Sequence, residues 1–104
     1  MQVLDRAHFD HMTGADRALQ LEVLGLFRTQ GEGWTVSIGA GAGWREAVHT
    51  LKGSARGIGL NALAAACESA ESASEAESAA ALARVRGALA EAVAALEQFA
   101  ADAA

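Results

Sequence analysis

The chain has 104 residues, 52% of them hydrophobic, with no proline or tyrosine and a net charge of −5. That length buries one modest core, so it reads as one domain over 1–104, with no room for a nucleotide-binding catalytic domain beside it. The acidic balance excludes general nucleic-acid binding, no apolar run reaches the roughly 18–20 residues that span a bilayer, and the start Met1-Gln2-Val3-Leu4-Asp5 lacks a signal-peptide pattern, so the cytoplasm is the expected compartment.

Alanine-rich, proline-free composition favours closely packed helices, and the pattern predicts four or five of them and no strand. A short first helix begins after Asp5, a plausible N-cap, and carries Ala7, Phe9 and Met12. Thr13-Gly14-Ala15-Asp16 reads as a break and a new N-cap. The second helix runs from about Asp16 toward Ile38, with Leu19, Val23, Leu26 and Phe27 as its apolar stripe, extended by Trp34 and Ile38 and weakened by Gly31 and Gly33. Gly39-Ala40-Gly41-Ala42-Gly43 is the clearest breaker and an expected interhelical loop. The third helix is expected from about Trp44 to Ala73, with a seam running from Ile58 through Ala62, Ala66 and Ser69; Gly57 and Gly59 allow a bend or a close crossing within it. Ser74 and Glu77 fit a capping box that opens the last helix, whose seam is Leu82, Val85, Leu89, Val93 or Ala92, Leu96 and Phe99. These lengths and single apolar faces predict an all-α, antiparallel four-helix bundle with a short leading helix.

The most informative run lies in the third helix: His49-Thr50-Leu51-Lys52-Gly53-Ser54-Ala55. At about 100° per residue, Arg45, Gly53, Arg56 and Lys52 all fall within about 60° of His49, while Trp44, Val48, Leu51, Ala55 and Ile58 gather on the opposite side. His49 therefore faces water, ringed by positive charge. An exposed imidazole is largely neutral near pH 7 and nucleophilic at one ring nitrogen. Phosphoryl transfer needs in-line positioning and compensation of charge on the phosphoryl oxygens, and Lys52, the chain's only lysine, can offer that compensation. Gly53 costs about 0.5–1 kcal/mol against alanine inside a helix, and its use is to leave the ring uncovered for an incoming donor. From Ala42 to Ala66 three cations stand against one acid, whereas Glu68, Glu71, Glu75 and Glu77 come next without a cation between them, so a basic patch sits on an acidic protein.

That run, followed by Ile58-Gly59-Leu60 and Leu63, closely resembles the signature of histidine-containing phosphotransfer domains. The resemblance extends to Val3-Leu4-Asp5, to the segment Asp16 to Phe27 and to Cys67-Glu68-Ser69-Ala70-Glu71, with Ala70 where a larger apolar residue is usual. It implies a four-helix bundle whose His49 accepts phosphate, through Nε2, from an aspartate of a receiver domain and passes it to another. It implies that Lys52 steadies the phosphoryl group and that Gly53 clears the approach. Magnesium and the catalytic aspartates would belong to the receiver, leaving this chain a carrier with no cofactor, metal or ATP site of its own. Arg45 and Arg56 are candidate contacts for receivers of response regulators or hybrid histidine kinases, and a free-standing monomer is expected.

Other candidates rank lower. His8 and His11, with Asp5 and Asp10 nearby, are a loose metal-binding possibility set against ordinary surface histidines. Cys67 reads as a structural cysteine facing the bundle, against a redox role. Ser54 reads as a small packing residue, Arg84 and Arg86 as solvated helix charge, and Phe27, Trp34 and Trp44 as core or bundle-end packing. Two rival functions stand beside the phosphate carrier. One is a helical adaptor that binds receivers without carrying phosphate. The other, a histidine-kinase dimerisation domain, needs an ATPase domain that this chain is too short to hold.

Overall fold

Several of the helix ends are set where a backbone group finds a local partner. The computed structural model describes residues 2–39 and 43–102, and the side chains of all of these except 30–39. Helix α1 (Arg6–Thr13) is capped by Asp5, whose carboxylate accepts from the His8 amide, and is closed by Gly14 in the left-handed region at φ 63°. Helix α2 (Arg17–Gly39) opens on Asp16, whose side chain accepts from the Leu19 amide. It stays helical through Gly31 and Gly33. Helix α3 spans Trp44–Ile58 and α4 spans Asn61–Glu71. The glycine-rich loop expected over 39–43 falls partly outside the described residues, as do the side chains of Trp34 and Ile38.

The sequence predicts one long third helix from Trp44 to Ala73; the structure divides it. Gly59 closes α3 at φ 88°, and its amide and that of Leu60 return to carbonyls in the last turn of α3. The break resets the helical phase of α4. The expected seam at Ala62, Ala66 and Ser69 gives way to Leu63, Ala64, Cys67 and Ala70, all buried, while Ala62 and Ala66 are half-buried and Ser69 is exposed. A small, weak seam thereby becomes a well-filled one.

A short 3₁₀ turn (Glu75–Glu77) leads into α5 (Ser78–Asp102), with the Ser74–Glu77 capping box formed as the sequence indicates. Its seam is Ala81, Leu82, Val85, Leu89, Ala92, Leu96 and Phe99, with Ala92 inside in place of Val93. The described residues form helices and no strand. Helix α2 contacts α3 and α5, and α4 contacts the same two, so the four long elements close a ring around one core, with α1 packed on α3.

The stripe on α2 lies one residue from its expected position. Gln20, Leu24 and Phe27 are buried and Val23 is half-buried, while Leu19, Leu21 and Leu26 remain exposed. A buried amide is tolerable only when hydrogen-bonded. Gln20 donates to the Asp10 carboxylate at 2.8 Å and to the Thr13 hydroxyl at 3.1 Å. Thr13 in turn donates to the Phe9 carbonyl, and it is Thr13, with Met12 exposed, that joins Phe9 inside.

Candidate functional site

Helix α3 buries Trp44, Val48, Leu51, Ala55 and Ile58. This leaves Arg45, His49 and Lys52, spaced i, i+4 and i+7, along its other side. His49 keeps 70% of its side chain exposed. Helix α4 runs beside α3, and its last residue, Glu71, arrives opposite that row.

All three side chains grip Glu71. Its Oε2 lies 3.3 Å from His49 Nδ1, and its buried Oε1 lies 2.8 Å from Lys52 Nζ. Arg45 Nη1 donates to the Glu71 carbonyl at 2.8 Å, and Nη2 donates to the Ala73 carbonyl at 3.0 Å. The Lys52 ammonium, against the counteracting effect of burial, and then the His49 hydrogen bond hold the Glu71 carboxyl below the usual glutamate value, so it is ionised at neutral pH. An ionised carboxylate only accepts. His49 Nδ1 must therefore carry the hydrogen, which leaves the lone pair of a neutral ring on Nε2.

Lys52 is largely covered and already paired. Only 14% of its side chain is exposed, and its charge is already matched by Glu71 in the resting protein. The basic patch is matched in the same way elsewhere. Arg56 pairs with Glu68 at 3.1 Å across exposed surface, and Arg45 lies 3.9 Å from Glu75 as well as on the end of α4. The acidic run of the sequence is thus folded back over the basic one. At Gly53, one turn beyond His49, a Cβ would meet nothing within 4 Å, so no internal contact demands the glycine and the surface there is open.

Of the other candidates, Ser54 is exposed on α3 rather than packed inside, while Cys67 and His8 have structural places. Cys67 is fully buried beneath the network, and burial, with Glu71 adding to it, pushes its thiol up to about 11, so it is protonated and unreactive. His8 Nε2 lies 3.1 Å from the Gly57 carbonyl, tying α1 to the end of α3. Among the described residues no three histidine, cysteine or carboxylate side chains gather to hold a metal ion. Phe27 and Trp44 are core residues.

An exposed imidazole held through Nδ1 to an ionised carboxylate, on a helix that pairs with a second helix, suits reversible transfer of an electrophilic group. A family model described as Hpt domain matches residues 10–99, most of the chain. The chain belongs to the Hpt domain family. Hpt domains act in histidine phosphotransfer within two-component phosphorelays, as carriers and not as classical enzymes, and they interact with receiver domains. No curated protein and no solved structure matches the chain. No described helix of this Hpt domain is long and apolar enough to cross a membrane. Glu71 is the residue that sequence reasoning leaves without a role. The available signal is the row 45, 49, 52 on one helical face followed by an acidic run, but only the break at Gly59 shows which acid meets it.

Proposed function

We propose that this Hpt domain is a phosphorelay intermediate that carries its phosphoryl group on Nε2 of His49, taking it from a receiver aspartyl phosphate and passing it to another receiver. The observation that carries this reading is the pairing of Nδ1 with an ionised Glu71 on a ring that is otherwise open to solvent. In the transfer, the Nε2 lone pair forms a bond to phosphorus as the bond from phosphorus to the aspartyl oxygen breaks. The aspartate leaves as a carboxylate, and the ring keeps its Nδ1 proton. The ring then bears a positive charge, which Glu71 faces at hydrogen-bond distance. Lys52, anchored beside the ring, offsets the negative charge of the phosphoryl oxygens, and Gly53 keeps the approach clear.

The same reading treats 1–104 as one antiparallel four-helix bundle with α1 as its leading helix, acting as a monomer in the cytoplasm, where a single unpaired cysteine is at home. The deciding experiment mixes the protein with a phosphorylated receiver and follows acid-labile, alkali-stable phosphate on the wild type and on His49→Gln. Label on the first and none on the second is the expected result. Receiver binding without label on the wild type, across several receivers, would leave a docking adaptor and end the carrier reading. In the same assay Lys52→Ala is expected to slow transfer more than it weakens receiver binding.

A further inference from the structure

Arg45 sits one helical turn before His49, where a receiver contact is expected, yet its donors are spent on the end of α4. Helix α4 ends at Glu71, and the last carbonyls of a helix have no partner within it. Arg45 supplies donors there: Nη1 goes to the Glu71 carbonyl and Nη2 to the Ala73 carbonyl, at 2.8 and 3.0 Å. A cation at this end of α4 is also favoured by the helix dipole. The guanidinium plane is also held over Trp44, its carbon 4.2 Å from the centre of that buried ring. Two planar constraints thus orient a fork whose two bonds fix where the backbone of residue 71 lies. The side chain on that same residue meets Nδ1 of His49 at 3.3 Å, a long contact that a small displacement of the α4 end would lose.

We propose that Arg45 is a positioning residue for the phosphoryl acceptor: by clasping the C-terminal end of α4 against Trp44, it sets the Glu71 carboxylate at the distance that keeps the His49 proton on Nδ1. The inference rests on His49 as the acceptor. It assigns Arg45 to readying the ring rather than to receiver docking. Lys52 and Arg45 then divide the work, Lys52 holding the carboxylate and Arg45 the backbone that bears it. Arg56, which among the described residues pairs with the exposed Glu68, has no such part.

The test compares wild type, Arg45→Ala and Arg45→Lys by two readouts that need no receiver. The first is the ¹⁵N spectrum of the His49 imidazole, which separates the Nδ1–H from the Nε2–H form. The second is phosphorylation by phosphoramidate, in which Nε2 bonds to phosphorus and the donor's nitrogen leaves as ammonia. Arg45→Ala should shift the ring toward a mixture of the two forms and slow labelling by about three- to tenfold, as expected when a reacting group loses its orientation. Labelling from a receiver should fall in proportion. Arg45→Lys keeps the charge and the helix propensity but not the fork, and it should move both readouts in the same direction, so the question stays answerable if the alanine variant does not fold. A wild-type ring spectrum and a wild-type phosphoramidate rate in the folded variants would overturn the proposal. So would a lower melting temperature with neither readout changed, or a loss confined to transfer from the receiver, which would make Arg45 a docking contact. Undiminished phosphoramidate labelling of His49→Gln would instead show that His49 is not the acceptor; the ring spectrum would still report on Arg45.

Discussion

Glu71 uses different oxygens for His49 and Lys52, so one ionisation holds the proton of the first and the charge of the second. The carboxyl is held below its usual value chiefly by Lys52, which means that the folded protein prefers it ionised. This stabilisation is complete above the unfolded glutamate value of roughly 4.3 and disappears as the pH falls through the lower folded value. Thermal melts of wild type and Glu71→Gln should therefore differ at pH 6–7, with the wild type the more stable, and converge as the pH falls below about 4. A constant gap down to acid pH would mean that the amide fails for reasons of shape. The variant should also accept phosphate more slowly at neutral pH, since an amide can offer Nδ1 either an acceptor or a donor. At this scale the sequence is legible where chemistry and spacing are local. His49, Lys52 and Gly53 are neighbours on one helix, and 100° per residue places them together. Glu71 is 22 residues further along, and no periodicity of α3 reaches it.

The turn between α3 and α4 decides which residues of α4 meet α3. Gly59 holds φ 88°, and a Cβ there would stand 3.1 Å from the Asp5 carbonyl oxygen and 3.1 Å from His8 Cδ2. The Asp5 amide also donates to the Gly59 carbonyl at 2.8 Å, so α1 is seated on this turn. Gly59→Ala meets both penalties, the left-handed backbone and the crowded cradle. It should cost at least the roughly 1–2 kcal/mol of the left-handed conformation alone. Circular-dichroism melts measure that loss, and amide exchange at Asp5 to Phe9 should rise with it. Gly53→Ala is the control: it adds a methyl group in open space on a regular helix, so it should not destabilise the fold. Sequence reading takes Gly57 and Gly59 as a bend or a close crossing within one continuous helix, whereas Gly59 is a stop. The stop depends on α1 packing against the turn, a contact between residues more than fifty positions apart. The register of α2 departs from its expected one for a related reason. Among its described side chains Leu19, Leu21 and Leu26 stay exposed, and what draws Gln20 inward is a pair of hydrogen bonds to α1.

The whole molecule separates its stability from its chemistry along α4. That helix starts at Asn61, beside the turn on which α1 sits, and ends at Glu71, about 15 Å further on at 1.5 Å per residue. The α1 end is fastened by the last turns of α5. Phe9 and Phe99 meet edge to face at 5.1 Å, Arg6 lies over the Phe99 ring and pairs with Asp102, and Arg17 donates to the Ala100 carbonyl at 2.7 Å. Phe99 is nearly fully buried, so Phe99→Ala removes an aromatic ring and leaves a cavity, at a cost of about 3–5 kcal/mol. In a domain of this size each kcal/mol moves the melting temperature by roughly 4–8 °C, so a fall of more than about 10 °C is expected. Phosphoramidate labelling of His49, measured well below that lowered midpoint, should stay at the wild-type rate. The ring spectrum of His49 should be unchanged too, because none of the three residues gripping Glu71 touches the α1 end. Glu71→Gln should show the reverse, with slower labelling out of proportion to its effect on melting. If Phe99→Ala slowed labelling while the protein remained folded, the core would be transmitting strain along α4, and the α3–α4 face would have to be treated as one cooperative unit with the α1 end.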